Sequence, residues 1–128
     1  MPLTRFPYGV ENGPLAVYTG AADAVLFPGT AILKRASAVD SATLATPVAG
    51  RDYETSTAPG DDDKFLHIIN GAAEANTVTT AAGKILDGTA TPKDTITFAA
   101  DIGAQILLKA YNGFWIVVSS TGVTLTEV

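Results

Sequence analysis

Apolar positions in this chain recur in short runs with a two-residue period, and glycine, proline, asparagine or aspartate parts one run from the next. That period predicts strands, because successive strand side chains point to opposite faces. The clearest stretch is Asp94–Leu125, which holds the only tryptophan in the chain. Within it, Asn112-Gly113 separates the apolar runs Ile106–Tyr111 and Phe114–Val118. This dipeptide supplies the two positive-φ residues of a type I′ turn, whose twist matches that of the flanking strands.

Upstream of that hairpin, the same reading predicts strands at Ala31–Lys34, at Ala42–Ala49 with an interruption at Pro47, at Lys64–Ile69, at Asn76–Thr80 and at Lys84–Leu86. Asp87-Gly88 marks a second turn. Strands at Thr95–Ala99, Ala104–Ala110, Phe114–Ser119 and Val123–Thr126 complete the set. No apolar stripe at i, i+3, i+4 holds over a useful length, so helix is limited to at most one turn near 71–75. Turn signals spaced about 8–12 residues apart between β-branched runs predict an all-β fold. The expected architecture is a single-domain β-sandwich or jelly-roll-like barrel of short antiparallel strands over residues 30–128.

Residues 1–29 read differently. Pro2, Pro7, Pro14 and Pro28 alternate with Gly9, Gly13, Gly20 and Gly29. Proline removes ladder donors and fixes φ, so an irregular N-terminal arm is expected here, with Leu15–Thr19 and Ala24–Phe27 able to form short edge strands. An arm that docks on a partner and a frayed terminus both satisfy this pattern.

Composition narrows the function classes. Charged residues make up 16% of the chain, against about 25% in average globular chains. With 47% apolar residues, that deficit points to surface buried in an oligomer or assembly. Thirteen acidic and 8 basic residues give a net charge of −5, the wrong sign for a nucleic-acid surface. The longest apolar runs are strand-sized, so no membrane span is expected. Met1–Arg5 lacks the apolar core of a secretory signal, which places synthesis in the cytoplasm. The absence of cysteine removes disulfides and thiolate metal sites.

Candidate chemistry is sparse, and no catalytic, cofactor or metal residue is assigned. His67 is the only histidine and lacks sequence-evident partners for general-base work. Ser119-Ser120 follows a strand without the flanking glycines of a nucleophile elbow. Asp61-Asp62-Asp63 is acidic enough for a divalent cation, yet it lacks the alternating ligand spacing of a calcium loop and reads as a solvated loop tip. Phosphate-cradling glycine motifs are missing. Alternation in the Trp115 strand puts Trp115 and Val117 on one face, with Phe114, Ile116 and Val118 on the other. Both faces are apolar, which suits a strand covered by core on one side and by a neighbouring subunit on the other. Ile96, Phe98, Ile106, Leu108, Trp115 and Val117 are the expected core and trimer-interface residues.

A set of spaced phrases carries a family resemblance. They are Thr30–Lys34, Thr43–Gly50, Asp61–Ile68, Ala75–Thr80, Asp94–Phe98, Ile102-Gly103, Ala110–Trp115 and Val117–Ser120. Over residues 30–125 the chain resembles the head decoration proteins of tailed bacteriophages, also called cement or head-fibre proteins. Asn76 stands where that pattern has histidine, and Phe114 is bulkier than the usual residue between the glycine and the tryptophan. The resemblance implies a non-enzymatic homotrimer, without cofactors, on the outer surface of a virion, where it contacts the major capsid protein and stabilises the shell. Arg5, Phe6 and Tyr8 are the expected capsid contacts, since an arginine with two aromatics offers interface-anchor chemistry. The alternative is a receptor- or carbohydrate-binding module at a fibre tip, with a host-surface glycan as partner. A hydrolase on a jelly-roll scaffold lacks site residues.

Overall fold

The computed structural model describes residues 15–19, 25–26, 28–35, 39, 41–50 and 60–127. Eleven strands run through them: β1 (Leu15–Tyr18), β2 (Val25–Leu26), β3 (Gly29–Leu33), β4 (Ser41–Leu44), β5 (Phe65–Asn70), β6 (Thr77–Thr79), β7 (Ile85–Leu86), β8 (Thr95–Phe98), β9 (Gln105–Tyr111), β10 (Phe114–Thr121) and β11 (Val123–Thr126). Six form one sheet in the order β1-β3-β5-β9-β10-β7, and five form a second in the order β11-β8-β6-β4-β2. The fold is all-β, as the period-two pattern predicts, and no helix occurs among the described residues. The bend at 72–74 stands where one helical turn was allowed for.

Connectivity departs from the antiparallel expectation. The chain alternates sheets with every strand from β1 to β6, so that β1, β3 and β5 stack parallel in one sheet while β2, β4 and β6 do so in the other. This part is a two-sided coil. The sheets become mixed when β8 and β9 pair antiparallel with β6 and β5, and β10 and β11 pair antiparallel with β9 and β8. A parallel return needs a long crossover, and here the opposite sheet provides it. Only β9 and β10 are consecutive neighbours within one sheet, and their turn is Asn112-Gly113, with φ of 52° and 82°. Gly122, at φ 66°, turns the corner from β10 into β11 and so from one sheet to the other. A Cβ at Gly122 would meet the Ala104 Cβ at a tight 3.1 Å, so crowding adds to the positive φ that favours glycine there.

The core lies between the sheets. Leu66 and Ile68 on β5, Ile106 and Leu108 on β9, Ile96 and Phe98 on β8, and Leu26, Leu33, Leu44, Val78, Ile85 and Trp115 are buried there. Val117 is half-buried against the same cluster. Of the six residues expected to serve core and interface, Ile96, Phe98, Ile106, Leu108 and Trp115 lie in the core and Val117 packs against it. The boundary at residue 30 also moves. β1 and β2 belong to the two sheets as their edge strands, and Leu26 is fully buried, so the sandwich already includes Leu15–Tyr18 and Val25–Leu26. Two strands placed at the edges agree with the sequence reading; a separate arm through residue 29 does not. Arg5, Phe6 and Tyr8 lie outside the described residues.

Candidate functional site

The two outer faces of the sandwich differ sharply in chemistry. On the five-stranded sheet, register aligns Thr126, Thr95, Thr79 and Thr43 in one row and Thr124, Thr97, Thr77 and Ser41 in the next. This is a hydroxyl-bearing face suited to water, built from β-branched residues that also favour strand geometry.

The six-stranded sheet turns a different surface outward. Its rows read Leu15, Thr30, His67, Leu107, Ser119; then Val17, Ile32, Ile69, Gln105, Thr121; then Phe65, Lys109, Ile116, Leu86; then Tyr111 and Phe114. No aspartate or glutamate stands in any of these rows. Leu15 is 64% exposed, Val17 49% and Phe65 45%, so the apolar surface reaches water from the β1 edge to the middle of the sheet. Val118 sits in a bulge where β10 slips register against β9, which breaks the alternation predicted for it. Phe114 and Ile116 face outward, as the sequence implies.

Cations on this face are satisfied within the chain. Lys109 Nζ lies 2.6 Å from Asp63 Oδ1 and 5.3 Å from the centre of the Phe65 ring, while Lys84 Nζ sits 4.9 Å over Phe114. Such contacts are worth about 0.5–1 kcal/mol each at exposed sites. Their larger effect is to leave an apolar face that demands no counter-charge from a partner. At its centre, His67 Nε2 lies 2.8 Å from Gln105 Oε1, and Gln105 Nε2 donates to the Gly103 carbonyl at 3.2 Å. The sequence offered no partner for His67; sheet register supplies one.

The carboxylates of the acidic run are engaged within the chain. Asp61 Oδ2 accepts the Val48 N–H at 2.7 Å, and its Oδ1 accepts from Lys64 Nζ at 2.8 Å. Asp62 Oδ1 accepts the Asn112 N–H at 2.8 Å, and Asp63 pairs with Lys109. Three consecutive carboxylates thus fasten the 45–50 segment, the β9–β10 turn and the β9 strand to one corner. Among the described residues, no group of three histidine, cysteine, aspartate or glutamate side chains could hold a metal ion.

The Lys64 hydrogen bond, followed by that from Val48, holds the Asp61 carboxyl below its ordinary value of 3.8, against a smaller opposing effect of burial. Because the folded state lowers this value, the contribution of Asp61 to stability is complete above pH 3.8 and is lost as pH falls through the lowered value. Asp61→Asn should therefore be less stable than the wild type in urea titrations at pH 7. The gap should close as both are titrated to lower pH. A gap that stays constant down to pH 2 would contradict this assignment.

No nucleophile, base and orienting group converge among the described residues; His67 meets an amide and Trp115 donates its indole N–H to the Ala45 carbonyl at 2.9 Å. The site is a surface. Sequence reasoning found its β10 portion through the doubly apolar strand. It missed Leu15, Val17, Ile32, Phe65, Ile69 and Leu107. The same signal was present in Ile68-Ile69 and Ile106-Leu107-Leu108, since continuous apolar runs mark strands covered on both faces. A scan against protein-family models finds no match to this chain, and a search of the curated proteins finds none either.

Proposed function

We propose that this chain is a non-enzymatic capsid decoration protein that self-associates through the outer face of its six-stranded sheet. The observation that carries the reading is that face: broad, apolar, with no acidic residue in its strand rows and one carboxylate, Asp63, paired with Lys109 at its end, and opposite a hydroxyl-rich face. In a chain of net charge −5, copies meet with least like-charge repulsion where the strand rows carry no acidic residue and the bordering Asp63 is neutralised by Lys109. A second copy is therefore the natural cover. A closed three-fold ring repeats one heterologous interface, so in a homotrimer this face of each subunit would pack on a different patch of the next.

The resemblance to phage head decoration proteins supplies the setting, the outside of a virion, with the major capsid protein beneath. A ring that binds only the assembled shell stabilises it by mass action. Linked copies raise avidity by about 10²–10⁴ over a single contact. The low charged fraction and the sparse candidate chemistry support the same reading.

Light scattering after size exclusion tests the face. The wild type should elute as a trimer, whereas Leu107→Lys and Ile32→Lys should yield folded monomers, judged by unchanged far-ultraviolet circular dichroism. Both positions point away from the core, so their cost to the subunit fold should stay near the ±0.5 kcal/mol typical of surface changes. Cosedimentation with empty heads then tests the setting: wild type should bind and the monomeric variants should bind far less. A wild-type monomer at micromolar concentration would refute self-association. A trimer that ignores heads but binds a glycan array would favour the fibre-tip alternative.

A further inference from the structure

Asparagine is a thermolabile side chain, most of all before glycine, whose missing Cβ lets its backbone nitrogen approach the asparagine amide. The Asn-Gly dipeptide occurs in this chain as Asn12-Gly13, Asn70-Gly71 and Asn112-Gly113. Local sequence gives each the same intrinsic chemistry. Asn12 lies outside the described residues, and the fold treats the other two in opposite ways.

At Asn70-Gly71 both reacting groups are held. Asn70 is fully buried, its Nδ2 meets the carbonyls of Glu74, Ala99 and Asp101, and its Oδ1 accepts from Asn76. The Gly71 N–H, which carries the attacking nitrogen, donates to the Leu33 carbonyl at 2.7 Å. At Asn112-Gly113 the asparagine is exposed at the β9–β10 turn, whose register closes between Tyr111 and Phe114. The Asn112 backbone N–H is bonded to Asp62, but neither the Asn112 side-chain amide nor the Gly113 N–H has a hydrogen-bond partner among the described residues. The side of Gly113 where a Cβ would stand is open, with no atom nearer than 3.8 Å.

We propose that Asn112 is a site of spontaneous deamidation, through which the acidic corner ages. The Gly113 backbone nitrogen attacks Asn112 Cγ and gives up its proton to solvent; a C–N bond forms, and the side-chain nitrogen leaves as ammonia. Water then opens the cyclic imide at one of its two carbonyls, leaving an aspartyl or an isoaspartyl residue at position 112. No oxidant, metal or enzyme is needed. Either product adds a carboxylate next to the N–H that Asp62 accepts, in the corner that already holds Asp61 and Asp63, and like charges at this range repel. The isoaspartyl product also lengthens the backbone inside a two-residue turn, whose length fixes the β9–β10 register.

Tryptic mass mapping of the full chain, incubated in mildly alkaline buffer with and without urea, tests the site. The peptide Ala110–Val128 carries Asn112 and the peptide Phe65–Lys84 carries Asn70, and fragment ions assign the acid to one residue in each. In the native chain the acid should accumulate at Asn112 while Asn70 stays an amide. In urea the two should convert at similar rates, because only the fold distinguishes them. Equal native rates at the two positions would overturn the proposal, as would an Asn112 that stays intact in the native chain for as long as the unfolded chain needs to convert. Asn112→Asp makes the aspartyl product directly, and its urea midpoint at neutral pH should lie below that of the wild type. An unchanged midpoint would overturn the weakening of the corner.

Discussion

Replacing Asn70 by alanine should lower the unfolding free energy by about 3–5 kcal/mol, more than most single substitutions. Asn70 is fully buried at the end of β5. Its Nδ2 lies within bonding distance of the carbonyls of Glu74 (3.0 Å), Ala99 (2.9 Å) and Asp101 (3.2 Å), and its Oδ1 accepts from Asn76 Nδ2 at 2.6 Å. The backbone joins in, since Asn70 N–H donates to Ala104 and Gly103 N–H donates to Asn70. One side chain thus ties the β5–β6 connection to the β8–β9 connection. Alanine would leave buried acceptors and the Asn76 amide without this partner, and each unsatisfied buried group costs about 1–3 kcal/mol. Asn70→Asp tests the chemistry more closely: it keeps the volume but turns the donor into an acceptor, and it should be at least as damaging. Urea denaturation at neutral pH measures both. A loss below about 1 kcal/mol for alanine would mean that water restores the network.

Trp115→Ala should cost about 4 kcal/mol, within the range for deleting a large buried aromatic. Trp115 is 2% exposed and packs in the core from β10. Its indole N–H reaches the Ala45 carbonyl just past β4, which belongs to the opposite sheet. The residue therefore joins the two layers by packing and by one directed bond. Trp115→Phe separates these: it retains most of the apolar volume and removes the donor, with an expected cost of about 1–2 kcal/mol. Equal losses for the two variants would show that the hydrogen bond, not packing, dominates. Because Trp115 faces inward, the fraction of Trp115→Phe that folds should self-associate to the same extent as the wild type.

Particular elements show why some features were legible in the sequence. The β11 bounds, Val123–Thr126, match the expectation, because Gly122 ends the preceding run and the alternation of Val-Thr-Leu-Thr is a local property. The Asn112-Gly113 turn was legible for the same reason: its positive φ values are intrinsic to those residue types. By contrast, the strand expected over Ala42–Ala49 ends at Leu44. Pro47 lies inside that stretch and cannot donate to a ladder, and Val48 N–H is instead taken by Asp61. The bond that replaces the ladder comes from a carboxylate 13 positions away, which no local pattern reveals.

The acidic run and His67 make the same point for the site. Asp61, Asp62 and Asp63 read as solvated because a run of like charge normally is; their partners Val48, Asn112 and Lys109 arrive only through folding. His67 meets Gln105 across 38 positions. Residue chemistry alone could say that each group needed a partner, but not which.

Residue type and the two-residue period, read locally, were enough for the all-β class, the places where strands begin and turn, and the doubly apolar character of the β10 strand. Period two reports the two faces of each strand; it carries no information about the neighbouring strand or the sheet to which it belongs. Packing decided those. It wound β1 to β6 into a parallel two-sided coil and drew β1 and β2 into the sandwich. By bringing Leu15, Ile32, Phe65, Ile69, Leu107 and Ile116 into one surface from five separate strands, it also made the face on which the proposed function rests.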